Sequence, residues 1–189
     1  MLGEHWQVRS LREHPDVILP EETGTTFEAN AIIKAAGASA ALPGRLILAD
    51  DSGLEVDALN GDPGVRSARY AGEDATDADN RRKLKEALRK VANNPGRAFT
   101  GRFRCCLALV RDGQVLKTTH GTVEGFLRLQ EQGDGGFGYD ALFQPQGHHN
   151  TFGVLTAEVK NSLSHRSRAM AELRAWLAEN PEIHTNPCL

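Results

Sequence analysis

Two long apolar segments, Phe99 to Val110 and Val115 to Val123, flank the dipeptide Asp112-Gly113. Asp-Gly suits a tight turn with two positive-φ residues, so the three pieces together specify a β-hairpin. Such a pair must bury at least one face, and any fold for this chain has to be built around a sheet. The other elements then decide the class. Thr25 to Leu42 is alanine-rich, with apolar residues at Phe27, Ala31, Ile32 and Ala35, which is helical spacing. Thr25 or Thr26 can cap this helix, and Pro43-Gly44 ends it. A second helix is expected from Thr76 to Val91, with Leu84, Leu88 and Val91 on one face. A third is expected from Ser164 to Glu179.

Shorter strands are expected at Trp6–Leu11, Arg45–Ala49, Leu54–Leu59 and Ala141–Phe143, and a glycine-rich loop at Gly133 to Gly138. Helices alternating with strands before the hairpin indicate an α/β fold with a mixed central sheet flanked by helices. With 189 residues, a single domain is expected, ending in a loose tail from Asn180.

The net charge of −3 leaves no basic footprint, which argues against a nucleic-acid polymer as partner. No apolar run reaches the roughly 20 residues needed to span a membrane. Cys105, Cys106 and Cys188 form no CxxC pair, so they point to buried thiols in a cytoplasmic protein.

Chemistry concentrates in four stretches. Asp50-Asp51-Ser52-Gly53 places two carboxylates after an apolar strand, where open α/β sheets collect ligands. Carboxylates there can hold Mg²⁺ or take a proton from water, although the same residues also suit a solvated turn. Thr23 to Asn30 is followed by Lys34, which shares a helix face with Phe27 and Ala31. A lysine on an inward face meets an anion or else snorkels to the edge. Gly135-Gly136-Phe137-Gly138-Tyr139-Asp140 offers close backbone approach, a stacking face and a polar handle, or simply a turn. Ser164 reads as an N-cap, which puts His165 and Arg166 at the anion-favouring end of a helix.

In this order the stretches resemble the inosine triphosphate pyrophosphatase family. The resemblance rests on Thr26-Phe27-Glu28-Ala29-Asn30-Ala31 with Lys34, on Ala49 to Leu59, on Pro63 to Gly72, on Gly135 to Asp140 and on Ser164-His165-Arg166. It runs from about Glu21 to about Leu177. It implies an ITPase-like (Maf/Ham-like) fold and a homodimer. It also implies Mg²⁺-dependent cleavage of ITP, dITP or XTP into the monophosphate and pyrophosphate. By the same resemblance Asp51 is the general base or a metal ligand, Asp50 supports it, and Glu22 or Glu21 supplies a second metal carboxylate. Lys34 and Lys160 contact phosphate or base, and Ser52 touches the substrate. Phe137, Gly138, Tyr139 and Asp140 wall the nucleoside, and His165 and Arg166 read the 6-oxo group. A donor-lined site of that kind rejects adenine, whose amino group leaves donors unpaired.

Two other readings remain open at this level: a nucleotide-binding homologue with weak catalysis, and a different metal-dependent nucleotide hydrolase. The first arises because the family opens with a strand running into an Asn-x-x-Lys loop that grips the triphosphate, and no such motif stands in this sequence. Ala141, where the family commonly has proline, and Val159, where an acidic residue is common, are smaller departures. The expectation is that the 189-residue chain hydrolyses dITP weakly or not at all, while a version extended upstream through such a loop hydrolyses it well. Comparable turnover by both would contradict this.

Overall fold

The computed structural model describes residues 6–92 and 98–183. It divides into two compact units. One holds the residues up to Asp51, Cys106–His120 and the segment from Arg168 on; the other holds Ser52–Cys105 and Gly121–Ser167. The fold is α/β. Its sheet has four strands in chain order: β1 (Ile47–Val56), β2 (Phe99–Arg111), β3 (Gln114–Leu127) and β4 (Phe143–Pro145). The helices are α1 (Phe27–Ala41), α2 (Asp77–Val91), α3 (Ala157–Leu163) and α4 (His165–Glu179).

In the first unit, the β2–β3 turn has Asp112 at φ +50° and Gly113 at φ +76°, the paired left-handed geometry that this dipeptide favours. Asp112 Oδ1 accepts from the Gly44 amide at 2.6 Å, and the Gly113 amide donates to Ser39 Oγ at 3.1 Å, which ties the turn to the end of α1. Helix α1 starts where Thr26 Oγ1 accepts from the Ala29 amide. It buries Phe27, Ala31, Ala35 and Ala38, spaced three and four apart, together with Asn30 beside them. Gly37 allows Pro20 to lie against α1, since a Cβ at position 37 would meet Pro20 Cδ at 2.3 Å. That contact holds the strand-free segment carrying Glu21 and Glu22 over the helix.

In the second unit a core gathers Leu54, Val56, Leu84, Leu88, Phe143 and Phe152, among others. Fully burying each such side chain is worth about 1.5–3 kcal/mol. Phe143 lies 4.7 Å from Phe103 and 5.4 Å from Phe152, centroid to centroid. Helix α2 begins in a capping box between Thr76 and Asp79. Strand β4 pairs antiparallel with β3, Leu127 opposite Phe143 and Gly125 opposite Pro145.

Several expected elements differ. Trp6–Leu11 is not a strand: it leads into a 3₁₀ turn at Leu11–Glu13, because Ser10 and Glu13 form a capping box that turns the chain. The two strands expected around Asp50-Asp51-Ser52-Gly53 are one continuous strand, β1. Tertiary partners override the poor strand propensity of Asp and Gly there. One of these is Ser67 Oγ, which accepts from the Leu54 amide at 2.9 Å. The strand expected at Ala141–Phe143 starts two residues later, since Tyr139 to Leu142 closes a turn first. Helix α3 was not expected; Thr156 caps it, and its seven residues bury no side chain fully. The expected tail from Asn180 contains a 3₁₀ turn at Pro181–Ile183, and the rest of it lies outside the described residues.

Candidate functional site

The first cluster lies wholly in the first unit and is assembled by α1, β1 and the segment before α1. Asp51 is buried, while Asp50, next to it on an extended strand, projects to the opposite face and is exposed. Lys34 Nζ lies 2.8 Å from Asp51 Oδ1 and 3.0 Å from Glu22 Oε1. Asn30 is fully buried; its Nδ2 donates to Asp51 Oδ2 at 3.4 Å, and its Oδ1 accepts from the Gly24 amide at 2.8 Å. Lys34 therefore bridges two carboxylates. Asn30 ties the segment before the helix to the same aspartate. Glu21 is exposed, so Glu22 is the residue that joins the cluster.

Electrostatics here is a contest between burial and pairing. Burial pushes the Asp51 carboxyl above the usual carboxylate range and the Glu22 charge adds to this; the hydrogen bonds from Lys34 and Asn30 offset it only in part. Burial alone would lower the pKa of the Lys34 ammonium, but bonds and charge from Asp51 and Glu22 outweigh it and leave it raised. Two carboxylates brought together at a partly buried point offer hard oxygen ligands to a divalent cation, at the position where the Lys34 ammonium now stands. Of the residues singled out in sequence, Asp51, Glu22 and Lys34 meet here, and Asp50 and Glu21 do not. Asn30 was not singled out, although a polar residue at an inward position of α1 was the available signal.

The second cluster lies in the second unit. The loop before β4 is held by Asp140, which is buried; its Oδ2 accepts from the Phe137 amide at 2.8 Å and pairs with the Lys160 ammonium. Gly136, at φ +75°, leaves room for this carboxylate, because a Cβ there would meet Asp140 Oδ2 at 2.1 Å. Phe137 is 61% exposed and carries two cations on its ring, Lys160 Nζ at 4.7 Å and the Arg166 guanidinium at 5.4 Å. His165, at the start of α4, is buried with its ring stacked on Phe103, 5.0 Å apart and 14° from parallel. Ser164 Oγ accepts from the Ser167 amide at 3.2 Å, as the N-cap reading expects. Helix α3 supplies Lys160 and ends where Ser164 turns extended, so the end of α3 and the start of α4 bring Lys160 and Arg166 to the same ring.

Tyr139 and Gly138 anchor the loop expected to wall the nucleoside. Tyr139 is buried and its hydroxyl donates to the Ser67 carbonyl at 2.9 Å; burial raises its pKa. The Gly138 amide donates to Asp77 Oδ2 at 2.6 Å, and its carbonyl accepts from Arg81 at 2.8 Å. These two residues anchor the loop to α2 and the core. Ser52, in β1, is half-buried.

Asp51 has a testable consequence for stability. A carboxyl whose folded pKa is raised contributes stability below its unfolded pKa and loses it as pH rises. In metal-free protein at neutral pH, Asp51→Asn is therefore expected to unfold at the same or a higher temperature. The difference should close as pH falls below the ordinary carboxylate range. Melting curves from neutral to acid pH check this, and a lower melting temperature for the variant at neutral pH would contradict it.

This sequence matches the model of the Ham1 family over residues 1–176. It is 44% identical over 178 residues to a dITP/XTP pyrophosphatase of Halalkalibacterium halodurans, covering 94% of this chain and 90% of the relative. A dITP/XTP pyrophosphatase of Desulforamulus reducens is 47% identical over 165 residues, 87% of this chain and 80% of the relative. Among solved structures, a HAM1 protein from Coxiella burnetii superposes with a TM-score of 0.80 at 42% identity, covering 89% of this chain and 84% of that one. The Staphylococcus aureus Ham1 protein superposes with a TM-score of 0.79 at 42% identity, with 90% and 85% covered. By sequence and by fold, the chain belongs to the Ham1 family.

Proposed function

We propose that this protein hydrolyses non-standard purine nucleoside triphosphates, dITP, XTP and ITP, to the monophosphate and pyrophosphate, and so cleanses the nucleotide pool. The observation that carries the reading is the buried Asp51 carboxylate bridged to Glu22 by Lys34, in a chain whose relatives are named for this activity. The phosphate chemistry falls to this cluster. Asp51, oriented by Lys34 and Asn30, accepts a proton from the attacking water. Lys34 holds negative phosphate oxygens, and Asn30 keeps Asp51 oriented. Mg²⁺ would be held by Asp51 and Glu22, where it supplies charge neutralisation on the phosphates and acidifies bound water. Asp50 and Glu21 lie on the exposed side of this cluster, and Asp50 would support the metal site from there.

Base recognition falls to Phe137, Lys160, His165 and Arg166. An exposed ring flanked by cations suits a flat, oxo-bearing purine, with Phe137 stacking on it and Arg166 donating to the 6-oxo oxygen. Asp140 acts through Lys160 and Phe137 by fixing both, and Ser52 completes the contacts to the substrate. A cytoplasmic homodimer is part of this reading, drawn from the family likeness. No helix among the described residues is long and apolar enough to cross a membrane.

Pyrophosphate release from dITP, XTP, ITP and dATP, with and without Mg²⁺, tests the proposal. Whatever its rate, turnover by the wild-type protein should be confined to the 6-oxo substrates and should require the metal. Asp51→Asn should lose about 10²-fold or more in kcat, and Lys34→Met a comparable factor. Arg166→Ala should chiefly raise KM for dITP. Full activity in Asp51→Asn, or equal turnover of dATP and dITP by wild type, would overturn the reading.

A further inference from the structure

A second group of ligating side chains lies elsewhere in the first unit and takes no part in the chemistry above. Glu28 comes from the first turn of α1, Cys106 from β2 and His120 from β3. One ligand atom from each lies within 4.8 Å of the others. His120 Nε2 is 3.5 Å from Glu28 Oε2. Cys106 is 1% exposed, while Glu28 and His120 are about half exposed, so the thiol forms the floor of the group and the other two form a rim open to water.

The surroundings orient these ligands. Thr118 Oγ1 donates to Glu28 Oε1 at 3.4 Å. The His120 amide donates to Glu172 Oε2 at 3.0 Å, which fixes the strand at that point, and Lys117 pairs with Glu172 at 3.6 Å. Of these, the Thr118 hydroxyl touches a ligating group directly, as outer-shell partners of metal ligands do. The donor set selects the ion. Thiolate and imidazole favour a borderline-soft dication such as Zn²⁺ and disfavour Mg²⁺, which seeks oxygen. Tetrahedral Zn²⁺ with bonds of about 2.0–2.3 Å needs ligand atoms roughly 3.3–3.6 Å apart. The His120–Glu28 separation already meets this, and the thiol lies within 4.8 Å of both, so binding draws it inward.

We infer that Glu28, Cys106 and His120 form a binding site for Zn²⁺, with water in the fourth position. On binding, the Cys106 S–H bond breaks, its proton goes to solvent, and the sulfur electron pair binds the metal; the weak contact of that thiol to the Leu107 carbonyl, 3.7 Å, is given up. The ion would clamp the first turn of α1 to β2 and β3. That helix also carries Asn30 and Lys34.

The test uses the full chain stripped of metal with a chelator and titrated with Co²⁺ as a spectroscopic probe, then with Zn²⁺ in competition. The expected result is a thiolate-to-cobalt charge-transfer band saturating at a single equivalent and displaced by Zn²⁺. Cys106→Ser should abolish the band and Cys105→Ser should keep it. His120→Ala and Glu28→Gln lie at the exposed rim, so folding should be preserved by circular dichroism while Zn²⁺ affinity falls about tenfold or more. Absence of the band in the wild type, its persistence in Cys106→Ser, or unchanged affinity in His120→Ala would overturn the site.

Discussion

The Lys34 ammonium, held 2.8 Å from Asp51 and 3.0 Å from Glu22, is the interaction around which the first unit is organised. Without it, two carboxylates would share a partly buried point, and burial would drive one of them to its neutral form. With it, an ammonium stands between the two carboxylates. Much of the local architecture keeps that triad together. Thr26 starts α1 in register, so that Asn30 and Lys34 fall on the face of Asp51. Pro20 packs on Gly37 and brings Glu22 over the helix. The Asp112-Gly113 turn fastens the far end of α1 through Ser39 and Gly44.

A similar logic runs through the second unit with different chemistry. Asp140 is buried with Lys160 as its counter-ion, and the pair sets the loop that exposes Phe137. A buried charge that loses its partner is costly. Asp140 is therefore a positioning residue as much as an electrostatic one. Tyr139 and Gly138 anchor the same loop through Ser67, Asp77 and Arg81. Stacking surface and cations thus arrive together on a rigid base, as recognition of a flat polar ring requires.

Helices α1 and α2, the long hairpin and the N-cap at Ser164 were legible because each carries its own local signal: periodicity, a cap or an Asp-Gly turn. The Trp6–Leu11 segment was misread because alternation is a strand signal only where a neighbouring strand exists to pair with, and a capping box competed for the same residues. Strand β1 was misread in the opposite sense: Asp51 and Gly53 look like a turn until Lys34, Asn30 and Ser67 supply partners. Of the candidate site, the residue types were readable, but which of two adjacent acids faces inward was not. Strand parity separates Asp51 from Asp50, and burial separates Glu22 from Glu21. Tyr139 could not be assigned to the core from sequence, since its partner is the carbonyl of Ser67, 72 residues away.

The central claim is that Asp51 and Glu22, bridged by Lys34, are the carboxylates that receive the catalytic metal. Anomalous diffraction from crystals soaked in Mn²⁺, a stand-in for Mg²⁺, tests it most directly. A peak is expected in coordination range of both carboxylates, with the Lys34 ammonium moved away from between them. A peak elsewhere with the Lys34 bridge intact, or one bound by Asp50 in place of Asp51, would contradict it.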